Sequence, residues 1–167
     1  SKSFNAYTIM SSENELYDHA ISGIDIGGLT NATNFISEKQ KDFNKPMTAE
    51  LIRRATKDNP VLQEVMISEL RWVEGKLRQE SGAAITIGEY LSNGLQYFPR
   101  AGDSSQVIAS KAQQRKNVTQ AKYYGMGPAG VRAYQDLASS GGTVSTGPTT
   151  TITIQPQNTF ANYFSGF

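Results

Sequence analysis

From Asn59 to Leu77 the apolar residues recur with the period of a helix. Leu62, Met66, Leu70, Val73 and Leu77 follow one another at spacings of four, four, three and four, and Val65 and Trp72 broaden the stripe. Asn59 supplies an N-cap and Pro60 a proline at the first helical position. This pattern predicts an amphipathic helix of about five turns, at about 3.6 residues per turn, with one face on a core. Glu74 stands four residues before Arg78, the favourable order for an exposed ion pair, and Ser81-Gly82 should close the helix.

Upstream the signals are shorter. Residues 1–10 show no clear period. Ser12 and Glu15 have capping-box spacing, with Leu16, Ala20 and Ile21 behind them, so a helix is predicted to start at Ser12 and stop at Ser22-Gly23. Gly27-Gly28 mark a turn, and Thr30 is read as the cap of a second helix that runs through Phe43 and ends before Pro46. A third, from Ala49 to about Lys57, carries Leu51 and Ile52.

Downstream, Thr86 and Glu89 make another capping box, with Ile85 placed to staple against Tyr90. That helix runs to about Tyr97 and is closed by Pro99. Asp103 and Gln106 form a further box, opening a helix from Ser104 to about Tyr124. Gly125-Met126-Gly127-Pro128 breaks it, and a last helix spans Ala129 to Ala138.

The end of the chain changes character. No charged residue occurs from Leu137 to Phe167. Within this stretch Thr151-Ile152-Thr153-Ile154 alternates like a strand, and Phe160, Tyr163, Phe164 and Phe167 fall at i, i+3, i+4 and i+7. So polar a segment lacks the apolar area to fold alone. Ile152 and Ile154 suit an added strand, and the aromatic residues suit an anchor on another subunit, with a lipid interface as the rival reading. The expected fold is mainly α: a small bundle of short capped helices over residues 1–138, with an extended, uncharged C-terminal arm over 139–167.

Composition sharpens this picture in a few places. Hydrophobic residues make up 38% and the mean hydropathy is −0.44, low for a chain that buries one compact core and better suited to a subunit completed by its neighbours. The net charge of +1 makes no demand for a polyanionic partner. With no cysteine there is neither a disulfide framework nor thiol chemistry. No apolar run approaches the roughly 18 residues of a membrane span. The opening SKSFNAYTIM does not read as a secretory signal, and Ser1 suits a chain that has lost its initiator methionine.

Candidate chemistry is sparse, and no cofactor is implied. Arg78-Gln79-Glu80-Ser81-Gly82 matches the local signature of lytic transglycosylases, in which a protonated glutamate cleaves a glycosidic bond. Gly94-Leu95-Gln96 echoes that family faintly, and the match then decays. Glu80 is therefore read chiefly as a helix-end residue, with a lysozyme-like enzyme as the alternative. His19 is the only histidine, so no histidine-based metal cluster can be built. Arg100, Lys111, Arg115, Lys116 and Lys122 face only Asp103 in charge, whereas residues 11–25 carry Glu13, Glu15, Asp18 and Asp25. Such asymmetry fits a DNA-facing strip, complementary subunit surfaces or a plain solvated face.

The segment 81–115, SGAAITIGEYLSNGLQYFPRAGDSSQVIASKAQQR, resembles one in bacteriophage DNA ejection proteins, also described as injection or pilot proteins. The matching positions are Ser81 to Ile85, Glu89, Tyr97-Phe98-Pro99, Gly102-Asp103-Ser104, Val107-Ile108, Lys111 and Arg115. The resemblance implies a non-catalytic virion protein packaged in the head near the portal and expelled with the genome into the host cell envelope. It implies as partners further copies of the chain in a ring, other ejection, portal or tail proteins, phage DNA and the host envelope. A neck or head–tail connector protein that is never ejected is the structural alternative.

Overall fold

The computed structural model describes residues 2–78, 84–145 and 151–153. Seven helices follow in order: α1 (Lys2–Ile21), α2 (Ile26–Lys39), α3 (Ala49–Ala55), α4 (Pro60–Leu77), α5 (Ile87–Tyr97), α6 (Ser105–Gly125) and α7 (Gly127–Ser140). Two short strands, β1 (Thr143–Ser145) and β2 (Thr151–Thr153), then pair antiparallel with Val144 opposite Ile152. The described chain is thus mainly helical. Ile152 has the backbone pairing expected of a strand, although with a partner in its own chain. Ile154, Phe160, Tyr163, Phe164 and Phe167 lie outside the described residues.

α4 is the central helix, and its stripe is buried as the spacing requires. Val65, Met66, Trp72 and Val73 are inaccessible, with Leu70 and Leu77 half-buried at the margin. Asn59 caps it through hydrogen bonds from the N–H groups of Val61 and Leu62. Gly75 brings α1 against it: a Cβ there would lie 2.7 Å from Met10 Cγ and 3.4 Å from the Ala6 carbonyl oxygen.

α1 corrects the first prediction. It begins at Lys2 and passes through Ser12 without using it as a cap. The missing period has a physical cause: Ala6, Tyr7, Thr8, Ile9, Met10 and Ser11 are all buried, so this stretch is covered on every side. A helix enclosed all round has no polar face to alternate with. The Thr8 hydroxyl donates to the Phe4 carbonyl at 2.9 Å, which lets a polar side chain sit inside at little cost.

α2 also starts earlier than expected. Asp25, not Thr30, caps it, through a bond from the Gly27 N–H, and the helix ends at Lys39 rather than Phe43. Thr30 lies inside the helix and accepts the Ala101 N–H at 2.8 Å. The freed residues 43–47 run beside the start of α5 instead. Met47 N–H donates to the Ile85 carbonyl, Ile87 N–H to that of Lys45, and Gly88 N–H to that of Phe43.

α5 carries the predicted capping box with both bonds present, between Thr86 and Glu89. The guanidinium of Arg78 reaches Glu89 at 2.9 Å and so ties the end of α4 to the start of α5. The α6 box is corrected: Ser104 is the cap and Asp103 turns elsewhere. Gly127, with φ of +72°, provides a left-handed residue at the start of α7. A second cluster, Tyr7, Tyr123, Met126, Tyr134 and Ala138, joins α1 to the α6–α7 corner. Tyr7 meets Tyr123 and Tyr134 edge-on, each with centroids 5.0 Å away.

Candidate functional site

Pro99 has no N–H to continue α5, so the last carbonyls of the helix need other donors. Three cations donate there, to the last carbonyl of the helix and to the two that follow it. Arg115 donates to the Tyr97 carbonyl at 2.5 Å, Lys111 to that of Phe98 at 3.0 Å, and Arg100 to that of Pro99 at 2.9 Å. Positive charge is favoured at a helix C-terminus, where the carbonyl dipoles converge. The cluster follows from how the chain turns there.

Arg100 lies across Glu69 of α4 in a two-pronged pair, with both N···O distances 2.9 Å. The hydroxyls of Tyr17 and Tyr90 complete the carboxylate, at 2.9 and 2.8 Å. Each carboxylate oxygen of Glu69 therefore accepts one tyrosine O–H and one guanidinium N–H. The acid is 0% exposed and Arg100 5% exposed, so this pair is dry. Burial, and then the adjacent Glu69 charge, pushes both tyrosine hydroxyls well above their ordinary range. Burial opposes the charge on Arg100, yet Glu69 more than offsets it and holds the guanidinium protonated.

Arg115 and Lys111 surround this pair. The Arg115 guanidinium carbon lies 5.2 Å from the ring centroids of both Tyr17 and Phe98, within cation–π range. Its Nε donates to Asn14 at 3.1 Å, and Asp18 lies 3.4 Å from it at the rim. Lys111 Nζ donates to Asp103 at 2.6 Å, and Asp103 also accepts the Arg100 backbone N–H at 3.0 Å. Burial works to raise the Asp103 pKa, but the bonds from Lys111 and Arg100 outweigh it and hold the carboxyl below its usual range.

Three of the five cations read as a basic strip are therefore off the surface. Arg100, Lys111 and Arg115 point inward and are engaged, while Lys116 and Lys122 are half-buried on α6. Part of the acidic complement is in the same chain, since Asp18 meets Arg115. One signal for this was in the sequence: Lys111, Arg115, Thr119 and Tyr123 recur every four residues and form the buried face of α6. Glu69 was missed too, although it falls between Met66 and Val73 on the apolar stripe of α4.

The cluster has little capacity for acid–base chemistry. A general acid must reach substrate and exchange a proton, and Glu69 is saturated and sealed. A second buried acid, Glu13, pairs with Arg71 at 2.8 Å. Burial raises its pKa, against the opposing effects of Arg71 and a hydrogen bond with Ser68. Glu80, the sequence's candidate catalyst, lies outside the described residues. Among the described residues no group of three His, Cys, Asp or Glu is placed to hold a metal ion, and no helix is long and apolar enough to cross a membrane.

No protein-family model, curated protein or solved structure matches this chain.

Proposed function

We propose that the chain is a structural component of a phage DNA ejection apparatus. In this reading it is packaged near the portal and assembles into a homo-oligomeric ring. It is then expelled with the genome to help line a passage across the host envelope. The proposal rests on the resemblance of residues 81–115, and one observation carries it. Among the described residues, most of the pattern's positions serve the caps and turns around α5 and the start of α6. Glu89 caps α5, and Tyr97, Phe98 and Pro99 present the carbonyls that the cations hold. Gly102 takes a φ of +92° at the turn, Ser104 caps α6, and Lys111 and Arg115 are two of the clamps. A motif whose members cap helices and hold turns behaves as a fold signature rather than a catalytic one. DNA contact through Arg100, Lys111 or Arg115 forms no part of the proposal, because those groups are engaged inside.

The test is mass spectrometry of purified phage particles before and after genome release. The chain should be present in full particles and absent from emptied ones. Retention in emptied particles would favour a connector or neck protein. Peptidoglycan cleavage by the purified protein, abolished by Glu80→Gln, would favour the enzyme and end the structural reading.

A further inference from the structure

A groove of about 450 Å³ runs between α2 and the turn joining α3 to α4. Its floor is apolar, with Ala32, Phe35, Ala55 and Leu62, and its rim carries Asn31, Asn34, Glu38 and Lys57. Asn31, Asn34 and Glu38 share one face of α2, spread over about 10 Å of helix at about 1.5 Å per residue. Among the described residues neither asparagine side chain makes a hydrogen bond. Each amide therefore keeps an acceptor and two donors, the complement of a peptide unit or of another amide.

The far wall is held in a costly conformation. Lys57 and Asp58 have φ of +52° and +61°, the left-handed region that residues with a Cβ rarely enter. The turn is kept there by Asp58 pairing with Arg53 at 3.0 Å and by the Asn59 cap of α4. Backbone held this way tends to mark a binding surface, and here it sets Lys57 on the groove rim.

We propose that this groove receives the C-terminal arm, residues 154–167, of a neighbouring copy of the chain. This rests on the homo-oligomeric reading above and specifies the contact. Charge favours this occupant. The rim's carboxylate and ammonium balance, so a neutral segment leaves neither facing an unmatched charge, and the arm has no charged residue. Chemistry matches in two further ways. Phe160, Tyr163, Phe164 and Phe167 offer aromatic anchors for the apolar floor, while Gln155, Gln157, Asn158 and Asn162 offer amides for the rim. The fourteen residues beyond Thr153 can extend up to about 46–50 Å at about 3.3–3.6 Å per residue, a length that allows contact with another copy.

The experiment uses the full chain with a photoreactive benzoylphenylalanine in place of Phe160. Isotopically heavy and light preparations are mixed, irradiated and digested, and cross-linked peptides are read by mass spectrometry. The expected result is heavy–light links from the arm to residues 26–39 or 55–62. Gly28 lines the groove and an added Cβ there meets nothing within 4 Å, so Gly28→Trp brings a bulky ring to it. It should cut those links about tenfold, the effect of losing about 1.4 kcal/mol of binding. Links confined to one copy, links to another surface, absence of links or indifference to Gly28→Trp would each overturn the proposal. Light scattering separates the two failures. An oligomer whose links lie elsewhere removes only the groove, whereas a monomer removes the ring as well.

Discussion

The guanidinium of Arg100 fills the space that a side chain on Gly94 would need, and it can lie across Glu69 only because that position is glycine. Helix propensity alone predicts that Gly94→Ala stabilises α5 by about 1 kcal/mol. Displacing Arg100 from Glu69 predicts a loss of about 3–5 kcal/mol, the usual cost of breaking a buried pair. The second effect is larger, so Gly94→Ala should lower the urea midpoint. A raised midpoint would refute the close approach.

Arg100→Met leaves a buried carboxylate with only two tyrosine partners and should cost about 3–5 kcal/mol. Glu69→Met strands the guanidinium and should cost a similar amount. The double variant removes both charges and should be far less destabilised than the sum. A double-mutant cycle in urea measures this coupling, and simple additivity would mean the pair is not formed.

Lys111→Met leaves the Phe98 carbonyl without its side-chain donor and Asp103 with only the Arg100 N–H, and should cost about 1–3 kcal/mol. Lys122→Gln, at a half-exposed position where burial already disfavours the charge, should change stability by no more than about 0.5 kcal/mol. Thermal denaturation of both variants checks the contrast. Equal effects would return Lys111 to the surface.

The reading of these helices from sequence succeeded where one local rule decides the outcome. Asn59-Pro60 and Thr86 with Glu89 open α4 and α5 where their side chains can cap free amides. It failed where tertiary surroundings decide. α1 is enclosed, so Ser12 with Glu15 imitates a start inside a continuing helix. Asp25 competes successfully with Thr30, and Ser104 with Asp103, because capping choice depends on which oxygen the folded turn presents. The inward cations were half legible: the four-residue spacing of Lys111, Arg115, Thr119 and Tyr123 marks one face of α6. Yet charged residues ordinarily face water, and nothing in α6 alone reveals carbonyls waiting at the end of α5.

Glu13 gives a pH test. Its folded pKa is raised above 4.5, so folding favours its protonated form. That contribution is complete below 4.5 and is lost as pH rises through the folded value. Glu13→Gln mimics the protonated state. Its stability relative to the parent should therefore grow with pH above 4.5 and then level off. Asp103, with its pKa lowered from 3.8, acts in the opposite sense and only at more acid pH, so it leaves this window clear. Melting temperatures measured at several pH values check the slope, and a difference that shrinks with rising pH would contradict it.

The clamps at the end of α5 have a bearing on whether the chain must be continuous. Nearly everything that secures residues 84–145 to residues 2–78 passes through side chains or bridging amides. Arg100 holds Glu69, Arg115 holds Asn14, Lys76 meets Asn93, and Ile87 donates to Lys45. A proteolytic nick anywhere in 79–83 would sever the covalent link and leave those bonds in place. Two separately made pieces divided there should find each other and restore the fold, as complementing fragments do.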